Sequence, residues 1–89
     1  MLAKIVKVER MKDFILRVYF SDGSSGAHDF GGLTKEDGEM IKPLRDPAFF
    51  ACVFLDWGAL TWPNGFDLCP DALYDIMSTA GELHREAAE

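Results

Sequence analysis

Cys69 stands directly before Pro70-Asp71, where a helix would begin. Proline is favoured at the first helical position, so Cys69 reads as the residue capping that helix. A thiol there feels the helix field, which favours the nucleophilic thiolate. Asp67 and Asp71 flank it, however, and their negative charge opposes thiolate formation. Neither His28 nor His84 is adjacent in sequence to act as its base, and an inert or weakly capping thiol is the favoured reading. Asp67 and Asp71 could instead form an acid/base pair. Yet Asp71 falls in the first turn of the helix, where a carboxylate stabilises the dipole for structural reasons alone.

Other chemistries lack their residue patterns. His28, Asp29, His84, Cys52 and Cys69 are scattered, without the close paired spacing of a structural zinc site. His28 reads as a solvated imidazole beside a turn. No serine sits in a nucleophile elbow, and Gly31-Gly32 marks a loop rather than a phosphate cradle. Asp22-Gly23-Ser24 is a turn, too brief for a calcium loop. No catalytic residue, metal ligand or cofactor is expected.

The aromatic residues carry more weight. Trp57 and Trp62 fall on opposite sides of a predicted hairpin, and tryptophan is enriched at interface hot spots. In a domain this small the core is the favoured reading for both, and a partner-binding surface is the alternative. In the segment Trp62 to Tyr74 most residues have a structural duty, which leaves Trp62, Asp67 and Tyr74 unexplained. With Asn64 and Trp57 they form the candidate partner- or ligand-binding set.

The elements that must position these residues follow from periodicity. Residues 2–9 alternate, with Leu2, Lys4, Val6 and Val8 on one face and Ala3, Ile5, Lys7 and Glu9 on the other. Phe14, Leu16, Val18 and Phe20 line one face of a second strand, with Ile15, Arg17 and Tyr19 opposite. Asp22-Gly23 is a strong hairpin signal because both residues tolerate positive φ, and a third strand over 25–30 completes an antiparallel meander. Gly31-Gly32 breaks the pattern. Thr34 could cap a short helix that Pro43 ends. Asp46-Pro47 is a second helix start, with Phe49 or Phe50 driven into the core.

Residues 52–57 and 60–62 make a second hairpin around Asp56-Trp57-Gly58-Ala59. Pro63-Asn64-Gly65 supplies a turn, and Phe66 to Leu68 re-enters a strand. Leu73, Ile76, Met77 and Ala80 recur at helical spacing, with Gly81 as the stop. The result is an α+β domain: a three-stranded meander, a second hairpin and a C-terminal helix. Residues 1–81 form the one compact domain, and 82–89 form a polar tail that frays.

Bulk properties limit the partners. The 89 residues suit one domain. Fifteen acidic against nine basic residues give a formal net charge of -6, and there is no basic run to grip phosphates. Direct nucleic-acid binding is not expected, and the charge suits a basic partner or plain solubility. No apolar run approaches a membrane span or a signal peptide. Two cysteines without a motif suit a reducing cytoplasm. An unpaired strand edge leaves a homodimer open.

Four segments together resemble a bacterial family, the domain of unknown function 2442. They are Phe20-Ser21-Asp22-Gly23, Asp29-Phe30, Pro43-Leu44-Arg45-Asp46-Pro47 leading to Phe50, and Trp62-Pro63-Asn64-Gly65-Phe66-Asp67 to Tyr74. The resemblance implies a small α+β domain with no established catalytic residues and an antitoxin-like or adaptor role beside a partner encoded nearby. Some relatives carry a helix-turn-helix after this domain; the chain stops soon after the Tyr74 helix, so that appendage is not expected. The leading expectation is a non-catalytic interaction module binding a small basic protein. The alternative is a ligand-binding or enzymatic domain with a pocket beside Trp62, Asn64 and Asp67.

Overall fold

Two alternating runs build the first sheet in the computed structural model, which describes residues 3–85. β1 (Ile5–Lys12) pairs antiparallel with β2 (Ile15–Phe20). In β2, Leu16, Val18 and Phe20 are buried, as the alternation predicts. β1 starts and ends later than its pattern suggests, and Leu2 lies outside the described residues. A register shift between Ile5 and Lys7 leaves Val6 without a partner. The inward phase therefore moves from Ala3 and Ile5 to Val8, as a β-bulge requires. That shift explains why neither face of the sequence looked wholly apolar.

β3 (Ser24–Asp29) follows the predicted turn and pairs with β2. Only Gly23 takes positive φ there, at 92°. Asp22 stays outside that region and instead accepts hydrogen bonds from the Ser24 amide at 2.9 Å and hydroxyl at 2.6 Å.

The next helix differs from expectation. α1 (Gly31–Thr34) ends at Thr34 instead of starting there. Phe30 is buried, so the chain turns at once, and Asp29 accepts from the Gly31 amide at 2.8 Å. The Thr34 hydroxyl donates to the Gly31 carbonyl at 2.7 Å and caps nothing ahead of it. Pro43 likewise ends no helix; it sits in the first turn of a 3₁₀ helix, Lys42–Arg45, where a missing N–H costs little. Arg45 reaches back to the carbonyls of Thr34 at 2.6 Å and Glu36 at 3.0 Å, satisfying acceptors at the end of α1.

α2 (Pro47–Phe50) forms as Asp46-Pro47 predicts. The Asp46 carboxylate accepts from the Ala48 amide at 3.0 Å, and Phe50 is fully buried. β4 (Phe54–Asp56) and β5 (Ala59–Thr61) make the second hairpin. β6 (Asp67–Leu68) joins β5 through the Trp62–Gly65 turn, giving a second sheet of order β4-β5-β6.

α3 (Pro70–Thr79) buries Leu73 and Met77. Its apolar stripe is narrower than predicted, for Ile76 is 55% exposed and Ala80 also faces solvent. Gly81, at φ 74°, closes the helix, and the Glu82 amide donates to the Met77 carbonyl at 2.9 Å, a Schellman-type stop.

The chain then folds back. Residues read as the start of a polar tail supply β7 (His84–Arg85), which pairs with β3 and completes a sheet of order β1-β2-β3-β7. Residues 86–89 of that tail lie outside the described residues. Leu16, Val18 and Phe20 from one sheet meet Leu60, Phe50, Leu44, Trp62 and Met77 in one core. The α+β class stands, with two sheets where the sequence suggested a meander and a separate hairpin. No helix among the described residues is long and apolar enough to cross a membrane.

Candidate functional site

The two tryptophans part company. Trp62 is fully buried, between Phe50 at 5.6 Å and Phe66 at 5.8 Å between ring centroids. Its indole Nε1–H donates to the Phe50 carbonyl at 3.0 Å, so the polar edge of the ring is satisfied inside the core. Trp57 is 92% exposed, and the core reading fails for it. It occupies the first position of the two-residue turn between β4 and β5, with φ 52°, and Gly58 follows at φ 80°. That is the geometry of a type I′ hairpin turn, which favours Asn or Asp before Gly. A side chain at the tip of such a turn has no sheet beneath it to pack on.

The other three candidates lie apart from this tip. Asn64 ties two loops together: its Nδ2 donates to the Met40 carbonyl at 3.0 Å, and its Oδ1 accepts from the Phe66 amide at 3.2 Å. Asp67 is exposed on β6, opposite Thr61. Tyr74 packs edge-on against Phe20 at 5.0 Å, and its hydroxyl donates to Asp22 Oδ2 at 2.6 Å. Trp62, Asn64 and Asp67 belong to one turn and the strand it enters, with Trp62 inside the core and Asp67 in solvent, while Tyr74 is directed to Asp22.

Asp22 is the residue that sequence reasoning missed. Hydrogen bonds from the Ser24 side chain, then from Tyr74, hold its carboxyl below the ordinary 3.8, at about 2; the Ser24 amide and the Arg85 guanidinium at 3.2 Å add to this. Such a carboxylate is a poor proton acceptor at neutral pH. Its position joins the β2–β3 turn to α3 and β7. The Asp-Gly signal disclosed the turn, and nothing local disclosed the distant partners.

His28 also departs from expectation. It is part-buried, with Nδ1 at 2.7 Å from Glu82 and its ring edge-on to Phe30 at 4.7 Å. Cys69 is exposed and free, and its side chain makes no capping hydrogen bond. Cys52 is exposed and free as well, its thiol directed at the Ala48 carbonyl at 3.4 Å.

Open concavities lie among the described residues. One, of about 380 Å³, lies between α1 and α3, with Leu33, Leu73 and Ile76 among its apolar residues and His28 and Asp29 at its rim. Those two polar groups are already engaged, by Glu82 and the Gly31 amide. Another, of about 620 Å³, lies on the outer face of the first sheet over Met11, Ile15 and Ala27. Among the described residues no three His, Cys, Asp or Glu side chains gather as metal ligands would.

A family model described as "Protein of unknown function (DUF2442)" matches residues 5–77. No curated protein and no solved structure matches the chain.

Proposed function

The chain belongs to the DUF2442 family, and from that premise we propose that it is a non-catalytic protein-interaction module, an antitoxin-like or adaptor-like companion that docks through the surface around Trp57. The observation that carries this reading is Trp57 itself. A non-glycine residue at φ 52° is strained by about 1 kcal/mol or more, and a ring that is 92% exposed returns nothing to the fold. Strain at an exposed aromatic has a ready rationale when the ring is to be covered by another protein. The Ile5 amide donates to the Gly58 carbonyl at 2.9 Å, which brings the turn against β1. The Lys4 side chain lies beside Gly58, its Cβ 3.0 Å from where a Cβ on that glycine would stand, so the turn is seated on the start of the first sheet.

The formal net charge of -6 suits a partner that is basic overall. Two exposed, free thiols suit a reducing, cytoplasmic compartment. The test is co-expression with the protein encoded beside it in the native host, followed by a binding measurement on Trp57→Asn. Asn before Gly is favoured in this turn, so the variant should be at least as stable as the parent. Affinity should fall by about thirtyfold, the size of a 2 kcal/mol hot spot. Unchanged affinity, or recovery only as a free monomer, would count decisively against the proposal.

A further inference from the structure

The sheet order β1-β2-β3-β7 leaves β1 at an edge. At eight residues it is the longest strand, and a long free edge presents a row of unpaired N–H and C=O groups. Its first residue is already covered, because the Ile5 amide bonds to Gly58. Among the described residues, no main-chain hydrogen bond reaches the outer edge from Lys7 onward.

Charge is not spread evenly over this chain. Lys4, Lys7, Arg10, Lys12 and Arg17 are five of its nine basic residues, while only Glu9 and Asp13 of the fifteen acidic residues belong to the same hairpin. Glu9 is occupied locally, accepting from the Tyr19 hydroxyl at 2.8 Å and lying 3.4 Å from Lys7. Among the described residues no ion pair holds Arg10, Lys12 or Arg17. With Glu9, these three side chains line the same concavity as Met11, Ile15 and Ala27.

We infer that the free edge of β1 from Lys7 to Lys12 receives an extended acidic segment of a partner protein as an added strand. Main-chain hydrogen bonds to the edge would hold it. Ile15 and Arg17 share the outer face of β2, and Lys12 pairs with Ile15, so the outward-facing carboxylates of the added strand can meet Lys12 and Arg17 while their methylenes rest on Met11 and Ile15. The inference rests on the interaction reading above and names the chemistry of the partner's contact. It also differs from what the net charge selects: the acidic remainder of the molecule suits basic surfaces, and this edge suits the opposite sign.

Lysines and bulges on an edge strand commonly guard against self-pairing, and both occur here. The register shifts at Ile5/Lys7 and Arg10/Lys12 bracket a regular run. A second copy would set its own Lys7, Arg10 and Lys12 against these, and like charges across strands repel. The same residues that refuse a copy of the chain attract an acidic strand.

The experiment uses the full chain, ¹⁵N-labelled, titrated with a blocked peptide of alternating Glu and Val. Three controls accompany it: the peptide N-methylated at alternate residues, a Lys-Val counterpart, and a single-stranded oligonucleotide. The Glu-Val peptide should protect β1 amides between Lys7 and Lys12 from exchange and bind more weakly as salt rises. N-methylation should abolish binding. The paired substitution Arg10→Glu with Lys12→Glu should weaken it by about tenfold or more with the melting temperature preserved. Protection elsewhere, equal binding of the N-methylated or Lys-Val peptide, or an oligonucleotide that displaces the Glu-Val peptide would overturn the inference. If Trp57→Asn abolishes native partner binding while the peptide leaves β1 unprotected, this edge inference falls and the interaction reading stands. Peptide docking on β1 with partner affinity insensitive to Trp57→Asn gives the reverse result.

Discussion

Asp22 accepts from the Ser24 amide and hydroxyl, the Tyr74 hydroxyl and the Arg85 guanidinium, so one carboxylate ties a turn, a helix and a late strand together. Its pKa is lowered from 3.8 to about 2. A group depressed in the folded state stabilises it above the unfolded pKa, and that stability is lost as pH falls from near 3.8 toward about 2. Tyr74→Phe removes one donor, so the Asp22 pKa should rise and acid unfolding should begin at higher pH. At neutral pH the loss should be about 1.5–3 kcal/mol, as for a hydrogen bond to a charged group. Carboxyl ¹³C shifts followed against pH, with urea unfolding beside them, measure both; an unmoved Asp22 titration would show that Tyr74 is not its partner in solution. Tyr74 stood out in the sequence because no local duty explained it, and the explanation lies 52 residues away. Trp57 was legible as a candidate for a different reason: tryptophan is enriched at interface hot spots. The sequence could not say which tryptophan was covered, because burial depends on what packs from elsewhere in the chain.

At the scale of elements, single-residue signals were uneven: Thr34 and Pro43 misled about where a helix starts and stops, whereas others held. Gly23, Asp46-Pro47 and Gly81 each ended or began an element as their chemistry requires. Elements whose existence depends on distant pairing were not legible. β7 has two polar residues, His84 and Arg85, and forms only because β3 offers an edge and the Schellman turn aims the chain at it. Gly26 makes that approach possible. A Cβ there would collide with the Glu82 carbonyl oxygen and stand 2.9 Å from its carbon, with Met77 Cε at 3.4 Å. Gly26→Ala should therefore push residues 82–85 off the sheet and release the His28–Glu82 contact. A cost of about 1–3 kcal/mol is expected, as for overpacking, with faster amide exchange across the β3–β7 pair. Gly32→Ala is the comparison: nothing lies within 4 Å of its Cβ position and its φ is ordinary, so stability should hold or rise slightly. Equal effects of the two substitutions would show that the close approach to Glu82 has no energetic weight.

At the scale of the whole molecule, the α+β class was legible, whereas the relation between the two sheets was not. The interior shows why the two cannot be treated as separate units. Trp62, reached through the second sheet, packs on Phe50 at 5.6 Å, and Phe50 packs in turn on Phe14 at 5.1 Å, just ahead of β2. Leu60 and Leu16, one from each sheet, are both fully buried in the same cluster. Neither sheet has a second face to bury if the other leaves, and a hairpin without a covered face is marginal in water. The domain should therefore unfold as one cooperative unit. Trp57→Asn leaves Trp62 as the remaining tryptophan of two, so its fluorescence reports the packing of the second sheet alone. Amide signals of β2 report the first sheet, and far-ultraviolet circular dichroism reports both. In urea all three transitions should share one midpoint. A Trp62 transition at distinctly lower urea than that of the β2 amides would mean that the second sheet detaches by itself. In that case the turn carrying Trp57 would sit on a movable arm, rather than on a surface held rigidly against β1.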